Sequence, residues 1–349
     1  MGLETKTLKQ TTEKMIEQLG HLVPEFELKK KAELVHEINE LKKERGAIIL
    51  GHNYMEPALY HTVTDVVGDS LQLAQAAADT DCDPIIFCGV RFMAETAKIL
   101  NPERTVLLPA KVAGCSLAES ITAEDVRKLR ENYPGVPIVA YVNTYADVKA
   151  EVDVCCTSSN AAKIVEALDS DVVIFLPDEY LAKNVAAETG KKIIVASQKD
   201  HGPSAGSNDF AVVGWAGKCE VHDQFTVEDV EAARKQFPNV QVLAHPECPP
   251  EVVEVADFTG STSKMIDKVK TSSASKFLLL TECAMGDNIV AENPDKEMVR
   301  MCSVRCPHMN EITLEDTLNA LKNNERIIDV PKDVRDKARK SLEKMLQYV

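Results

Sequence analysis

The feature that most constrains this chain is an internal repeat in which a cysteine stands seven residues before a helix-opening threonine. The repeat occurs three times, as Cys115 with Thr122, Cys219 with Thr226, and Cys306 with Thr313. In the first two copies a polar residue, Tyr141 or His245, follows nineteen residues after the threonine, at the end of an apolar stretch. Repetition of this kind predicts homologous units whose equivalent residues occupy equivalent places.

Short apolar stretches alternate with amphipathic ones throughout the chain. The stretches at 47–54, 137–143 and 240–247 are so apolar that both faces of each strand should be buried, as in parallel sheets covered by helices. Such alternation predicts an α/β protein with mostly parallel sheets. We expect three homologous, Rossmann-like αβα modules around a pseudo-threefold axis, with the cysteine loops forming a central site.

The repeat also predicts where the units begin and end. We expect a helical arm, three modules and C-terminal helices that pack back on the body, at residues 1–32, 33–121, 122–225, 226–312 and 313–349. The first module should open with a helix over Glu33–Arg45 that ends at Gly46. We expect the strand at 192–197 to be followed by a loop to Cys219, and the strand at 277–282 by a loop to Cys306.

Composition excludes several classes of function. A formal net charge of −15 disfavours nucleic-acid binding, which needs a cationic surface. The polar N-terminus lacks the apolar core of a secretion signal, and no apolar run approaches the roughly 20 residues of a membrane span. Ten cysteines without a signal peptide indicate a reducing compartment, so we expect a cytoplasmic protein without membrane partners.

Three cysteines in equivalent loops predict a metal site if the loops meet. Thiolates suit zinc and iron–sulfur clusters, and a [4Fe–4S] cluster normally takes four cysteines. Three ligands would leave one iron open to act as a Lewis acid, which favours dehydration chemistry over electron transfer. The alternatives are ordinary buried cysteines, or a local zinc half-site formed by Cys302 and Cys306, although the repeat selects only Cys306.

Polar residues end the first strand of each predicted module, two residues apart and therefore on one face of the strand. The pairs are His52 with Tyr54, Tyr141 with Asn143, and His245 with Glu247. Ligands of open α/β sheets bind beyond the carboxyl ends of strands, so all six could face one cavity. The alternative is that each is a satisfied structural residue at a strand end.

Hydroxyl-rich segments follow these pairs and open helices. They end at Ser70 in the first module and occupy 157–159 and 260–263 in the others. The hydroxyls could be N-caps, but helix N-termini also bind carboxylates and phosphates. Three such termini around one cavity would suit a small polyanion. His222, three residues after Cys219, is a further candidate for this site.

The motifs GHNY, FMAETAKILNP, YVNTYADVKA, CTSSNA, HPEC, GSTSKM and CPHMN together resemble those of the quinolinate synthase family, the iron–sulfur enzymes of de novo NAD biosynthesis. The resemblance extends from about Glu33 to Leu321. It implies a three-module fold with a [4Fe–4S] cluster at its centre. It also implies condensation of iminoaspartate with dihydroxyacetone phosphate, which yields quinolinate, phosphate and two waters.

The resemblance assigns residues as well as activity. It implies that Cys115, Cys219 and Cys306 hold the cluster. The expected substrate-binding residues are His52, Ser70, Tyr141, Asn143, Ser158, His222, His245, Glu247, Ser261 and Thr262. Tyr54 matches a family tyrosine tied to catalysis, and we expect Tyr54, His245 and Glu247 to be catalytic.

The family also implies functional partners, namely L-aspartate oxidase or aspartate dehydrogenase as the source of iminoaspartate, and the iron–sulfur assembly machinery. Two other functions stay open on the residues alone. One is an iron–sulfur redox carrier or sensor, which would need a fully ligated cluster. The other is a structural-zinc protein that binds a sugar phosphate without turnover.

Overall fold

The structure, a computed structural model, describes residues 2–197 and 212–348. It is an α/β protein with parallel sheets. The elements of the first part are α1 (Leu8–Leu19), α2 (Glu25–Arg45), β1 (Ile48–His52), α3 (Pro57–Thr62), β2 (Val66–Gly68), α4 (Ser70–Asp79), β3 (Ile85–Cys88), α5 (Arg91–Leu100) and β4 (Val106–Leu107). The four strands form one sheet in the order β2-β1-β3-β4.

Helix α2 begins earlier than expected. It runs unbroken from Glu25, so it crosses residues 32 and 33, where we had placed the limit between arm and first module. It ends where predicted, at Gly46, whose φ of +63° is a left-handed conformation that glycine adopts without a Cβ penalty. Helix α1 packs on α2.

The second sheet has five strands. Its elements are α6 (Ser116–Glu119), α7 (Ala123–Asn132), β5 (Ile138–Tyr141), α8 (Ala146–Lys149), β6 (Val154–Cys156), α9 (Ala161–Ala167), β7 (Val173–Leu176), α10 (Glu179–Glu188), β8 (Ile193–Ala196) and β9 (Val212–Trp215). The order is β6-β5-β7-β9-β8. The prediction of a loop from β8 to Cys219 was therefore wrong, because β9 intervenes and pairs between β7 and β8.

The third sheet and the C-terminus complete the fold. Their elements are a 3₁₀ helix (His222–Gln224), α11 (Val227–Gln236), β10 (Gln241–Ala244), α12 (Pro250–Val255), β11 (Phe258–Thr259), α13 (Thr262–Thr271), β12 (Lys276–Leu280), α14 (Ala284–Glu292), β13 (Glu297–Val299), a second 3₁₀ helix (Met309–Glu311), α15 (Leu314–Asn323) and α16 (Lys332–Leu346). The order is β11-β10-β12-β13. The predicted loop after β12 was wrong, since α14 and β13 precede Cys306.

All three sheets share one arrangement. The first strand lies between the second and the third, the next position belongs to the strand that leads to the repeat cysteine, and every pairing of named strands is parallel. Central strands such as β3, β5 and β7 are buried along their whole length. Burial on both faces explains their uninterrupted apolar sequence. Because the strands of each sheet run parallel, their carboxyl ends lie at one edge of that sheet.

A carboxylate clamp recurs in each sheet. Its aspartates, immediately before the second strands, are Asp65, Asp153 and Asp257. One oxygen of each accepts a backbone N–H from the first strand, at 2.8–2.9 Å. Each carboxylate also binds a cation 23 residues earlier on the preceding helix: Lys42, Arg130 and Arg234. The clamp therefore fixes helix, first strand and second strand together.

The repeat threonines, which the sequence predicted to open helices, are the N-caps of those helices. Thr122, Thr226 and Thr313 each accept a hydrogen bond from the backbone N–H three residues later. The third of these helices, α15, is not followed by a strand pair of its own and packs instead on α2 and β3.

The C-terminal segment ties the first two sheets together. Ile327 forms an antiparallel bridge to β4, and α16 packs on α5, α8 and β6. The buried Ser341 hydroxyl donates to the Lys149 carbonyl at 2.9 Å. Over residues 2–197 and 212–348, no helix combines the length and apolarity needed to cross a membrane.

We expect Asp65→Ala to destabilise the protein more than Asp257→Ala. The Lys42 side chain is only 9% exposed, whereas that of Arg234 is 42% exposed. Removing the partner of a buried charge costs about 3–5 kcal/mol, and an exposed ion pair contributes less than about 1 kcal/mol. Urea unfolding should therefore show a fall in the free energy of unfolding of about 3–5 kcal/mol for Asp65→Ala. For Asp257→Ala the fall should be about 1–3 kcal/mol, mainly because the backbone N–H of the first strand loses its acceptor.

Asp336→Ala is the matched control, because Asp336 pairs with Lys332 on the exposed side of α16. It should leave the urea midpoint unchanged. Equal losses for the Asp65 and Asp257 variants would contradict the burial argument.

Candidate active site

One chamber collects nearly all the residues that the sequence singles out. It encloses about 700 Å³ of non-protein space, including the part open to solvent. Its wall includes His52, Tyr54, Ser70, Tyr141, Asn143, Ser158, His222, His245, Glu247 and Thr262, and all three repeat cysteines, Cys115, Cys219 and Cys306. Ser261 is the one candidate that does not line it.

The three cysteines share a local backbone structure. The carbonyl of each accepts the N–H of the fourth residue after it, at 3.0, 2.9 and 3.1 Å for Glu119, Asp223 and Asn310. Hydrogen bonding from the backbone two and three residues after each cysteine lowers the pKa of its thiol. All three loops therefore favour the thiolate in the same way, which suits a metal ligand.

The thiols themselves are held in an unfavourable environment for charge. Burial raises the pKa of Cys115 to about 12 and that of Cys306 to about 11, and it raises the pKa of Cys219 well above its ordinary value. The backbone donors offset this only in part. A bound metal cation reverses the balance, because a coordinating thiol is deprotonated outright. The donor set therefore fits a thiolate-bound metal group.

Glu247 is the centre of the polar network. Its Oε1 accepts from the Tyr141 hydroxyl at 2.5 Å and from Asn143 Nδ2 at 3.4 Å. Its Oε2 lies 2.7 Å from His222 Nδ1. Burial opposes the charge of Glu247, but His222, His245 and the bonds from His222 and Tyr141 outweigh it and lower the carboxyl pKa to about 2. Glu247 is therefore ionised at neutral pH.

The two strand-end histidines share one tautomer. The Nδ1 of His52 accepts the backbone N–H of Tyr54 at 3.2 Å, and the Nδ1 of His245 accepts that of Glu247 at 3.3 Å. The proton of each neutral ring is therefore on Nε2. Burial lowers the pKa of His52 to about 4 and that of His245 to about 3. Both are neutral N–H donors, and Ser158 Oγ lies 3.4 Å from the Nε2 of His245.

The two tyrosines stay protonated. Burial, reinforced by the charge of Glu247, raises the pKa values of Tyr54 and Tyr141 well above the ordinary value. The Tyr54 hydroxyl is 2.5 Å from Thr281 Oγ1, which in turn is 3.0 Å from His222 Nε2. Thr281 therefore joins the first strand end to the network of Glu247.

The hydroxyl segments do not cap their helices as expected. Asp69, not Ser70, caps α4, and its Oδ1 accepts the N–H groups of Leu71 and Gln72. Asp69 Oδ2 accepts the hydroxyls of Ser159 and Ser261, each at 3.0 Å. Ser261 therefore stands at the N-cap position of α13 without capping the helix through its side chain. Ser70, Ser158 and Thr262 keep their positions on the chamber wall.

Asp69 changes the prediction for anion binding. Because its carboxylate already occupies the first N–H groups of α4, the N-terminus of that helix is not open to a ligand as expected. The N-terminus of α13 has no side-chain cap. Within the described ranges, the chamber wall contains no lysine or arginine. An anion here would be held by neutral N–H and O–H donors.

Sequence reasoning missed two residues that shape this site, Asp69 and Thr281. Asp69 immediately precedes Ser70, and an aspartate before a helix is a preferred N-cap. Thr281 immediately follows β12, the third strand of its predicted module. A polar residue at the carboxyl end of a third strand could therefore have been singled out in the same way as those at the ends of first strands. Phe92 and Met93 on α5 also line the chamber, and no polar pattern marked them.

Comparison with known proteins gives consistent findings. The family model described as "Quinolinate synthetase A protein" matches residues 36–347. The chain is 48% identical over 342 residues to a quinolinate synthase of Sinorhizobium fredii, covering 98% of this chain and 90% of that protein. It is 51% identical over 312 residues to a quinolinate synthase of Xylella fastidiosa, covering 89% and 86% of the two chains.

The buried neutral state of His52 predicts how stability depends on pH. Its pKa is about 4 when folded and about 6.5 when unfolded, so between these values the unfolded chain binds more protons and stability falls as the pH is lowered. Between pH 7 and pH 5 this residue should cost about 2 kcal/mol. In urea unfolding of the protein without bound metal, the stability of His52→Gln should fall less between pH 7 and pH 5, by about this amount.

If His52→Gln keeps the full slope, the ring is not buried in its neutral form.

Proposed function

This chain belongs to the quinolinate synthetase A family, and we propose that it is a quinolinate synthase, a transferase of NAD biosynthesis. It condenses iminoaspartate with dihydroxyacetone phosphate and releases quinolinate, phosphate and two waters. The observation that carries the proposal beyond family membership is the single chamber, which unites three equivalent cysteines with the polar ends of three first strands.

We propose that residues 33–121, 122–225 and 226–312 are three modules around a pseudo-threefold axis, with the arm 1–32 and the helices of 313–349 packed outside. The contact between α15 and α2 supports this ring, because it joins the helix that follows the third cysteine loop back to the first part of the chain. The cysteine loops would then lie on the inside of a closed ring.

Cys115, Cys219 and Cys306 would hold a [4Fe–4S] cluster. The shared chamber and the backbone donors around each sulfur support this assignment. When bound with one iron open, the cluster supplies a Lewis acid for the hydroxyl that leaves in the dehydration.

The chain binds its anionic substrates with neutral donors. The Nε2–H groups of His52 and His245 face carboxylate or carbonyl oxygens. Ser70, Ser158 and Thr262 add hydroxyls, and the N-terminus of α13 adds a favourable dipole. His222 and Ser261 contribute by orienting carboxylates of the chamber wall. His222 is bonded to Glu247, and Ser261 is bonded to Asp69.

We assign the acid and base roles from positions on the chamber wall, and the protonation states are compatible with them. Glu247 is ionised and can take a proton during imine condensation and isomerisation. Tyr54 is protonated and can return one. His245, as a neutral donor, polarises the substrate carbonyl. The Oδ1 of Asn143 is buried without a hydrogen-bond partner in the described part of the chain, so it can accept the N–H of the imine.

The setting follows from the same chemistry. We propose the cytoplasm, where ten cysteines stay reduced. Iminoaspartate would come from an enzyme that oxidises aspartate, such as L-aspartate oxidase or aspartate dehydrogenase. The iron–sulfur assembly machinery would supply the cluster.

Single replacement of each repeat cysteine tests the proposal. After anaerobic reconstitution the native protein should contain about four iron and four sulfide per chain. Cys115→Ser, Cys219→Ser and Cys306→Ser should each lose the brown chromophore and quinolinate formation. Cys302→Ser is the control and should keep both, because this exposed cysteine lies outside the repeat register. Any one of the three variants that keeps both cluster and activity would refute the ligation.

Glu247→Gln tests the acid–base assignment. The amide keeps the shape of the side chain but cannot take a proton. We expect normal iron content and a fall in kcat of about 10²–10⁴. Glu254→Gln, an exposed change on α12, should leave kcat unaltered. Full activity of the Glu247 variant would exclude it as the base.

A further inference from the structure

Three different metal-binding side chains meet on one side of the chamber. One ligand atom each from Cys219, His222 and Glu247 lies within 4.8 Å of the others. His222 Nδ1 is 3.2 Å from the Cys219 sulfur and 2.7 Å from Glu247 Oε2. Thiolate, imidazole and carboxylate are the ligands of mononuclear zinc sites. The three atoms lie close enough together for one ion to reach all of them.

Hydrogen bonds behind these ligands orient them for a metal. The other ring nitrogen of His222 is 3.0 Å from Thr281 Oγ1. The other oxygen of Glu247 accepts from Tyr141 and Asn143, which leaves Oε2 directed at His222. Metal-ligating histidines and carboxylates normally have such partners on their second atom. His222 and Glu247 are also buried, at 2% and 3% exposure, so solvent competes little for the ion.

We propose that the iron-free protein binds one borderline divalent ion, zinc or cobalt, through Cys219, His222 and Glu247. The fourth coordination position is open to the chamber, because no fourth metal-binding side chain joins this group in the described ranges. A water or a carboxylate of a chamber ligand can occupy it. This site is separate from the three-thiol set and shares only Cys219 with it.

Sharing one thiol makes the two metal states mutually exclusive. A chain that holds zinc at this site lacks a free Cys219 for a cluster, and its Glu247 is no longer a free base. Zinc would therefore block iron–sulfur loading and activity together. This exclusion, but not the ion site itself, rests on the proposed cluster ligation.

The full-length double variant Cys115→Ser/Cys306→Ser isolates the proposed site. Stripped with a chelator and titrated anaerobically with Co²⁺ and then Zn²⁺, it should bind one ion per chain and show thiolate-to-cobalt absorption. Adding Cys219→Ser or the isosteric Glu247→Gln should weaken binding by at least about 100-fold, and Thr281→Val by about tenfold through loss of the support for His222.

Two outcomes would overturn the ion site. If the double variant binds no ion while the native iron-free protein does, the ion belongs to the three-thiol set. If binding survives Cys219→Ser, other thiols hold it, such as Cys283 and Cys302, whose sulfurs are 2.7 Å apart.

Competition tests the exclusion separately. Preloading the native protein with one zinc per chain should lower the iron bound on reconstitution in proportion. Full iron loading with zinc retained would overturn the exclusion. Iron and sulfide analysis of the native protein reconstituted without zinc is the control. If no cluster forms there either, the cluster assignment itself has failed.

Discussion

The carboxylate of Glu247 is a buried negative charge, and much of the chamber is arranged to accommodate it. An isolated buried carboxylate would be neutralised, because the transfer from water is too costly. Here Tyr141 and Asn143 come from the end of β5, while His222 follows the second cysteine loop and Thr281 extends the network to Tyr54. The charge persists only if these segments meet. The network that ionises the carboxylate therefore also holds the walls of the chamber in place.

The rest of the fold is built from devices that occur three times. An aspartate clamp fixes the first strand of each sheet to its neighbours, a threonine caps each helix after a cysteine, and each cysteine carbonyl closes the same turn. Each device is local, so it can be copied with its segment. The chamber is not local, because its residues come from every repeat. Repetition thus gives each part of the chamber a similar backbone structure. The residues that differ between the copies provide the different functional groups of the site.

The sequence predicted what local pattern and repetition determine. Parallel sheets, helices that open at the repeat threonines and the end of α2 at Gly46 followed from apolar strands, repetition and helix-ending rules. Strand β9 was missed because its short apolar stretch, with a glycine and a tryptophan, lies outside the repeat register, and its place between β7 and β8 depends on long-range pairing. Asp69 and Thr281 were missed because their roles arise from contacts with residues about 60 to 230 positions away. No local pattern encodes such contacts.

Many of the donors on the described chamber wall are neutral N–H and O–H groups, which suits the proposed reaction. A fixed cation would attract substrate, transition state and released phosphate alike, and uniform binding of this kind does not accelerate the chemical step. Neutral N–H and O–H donors act only along their own directions, so they can favour one arrangement of oxygens over another. His52 and His245 meet this need because burial keeps them uncharged while their Nδ1 contacts fix the Nε2 proton. In the proposed reaction, the same neutral donors would then have two effects. They would select the oxygens of the developing ring, and they would allow phosphate to be released.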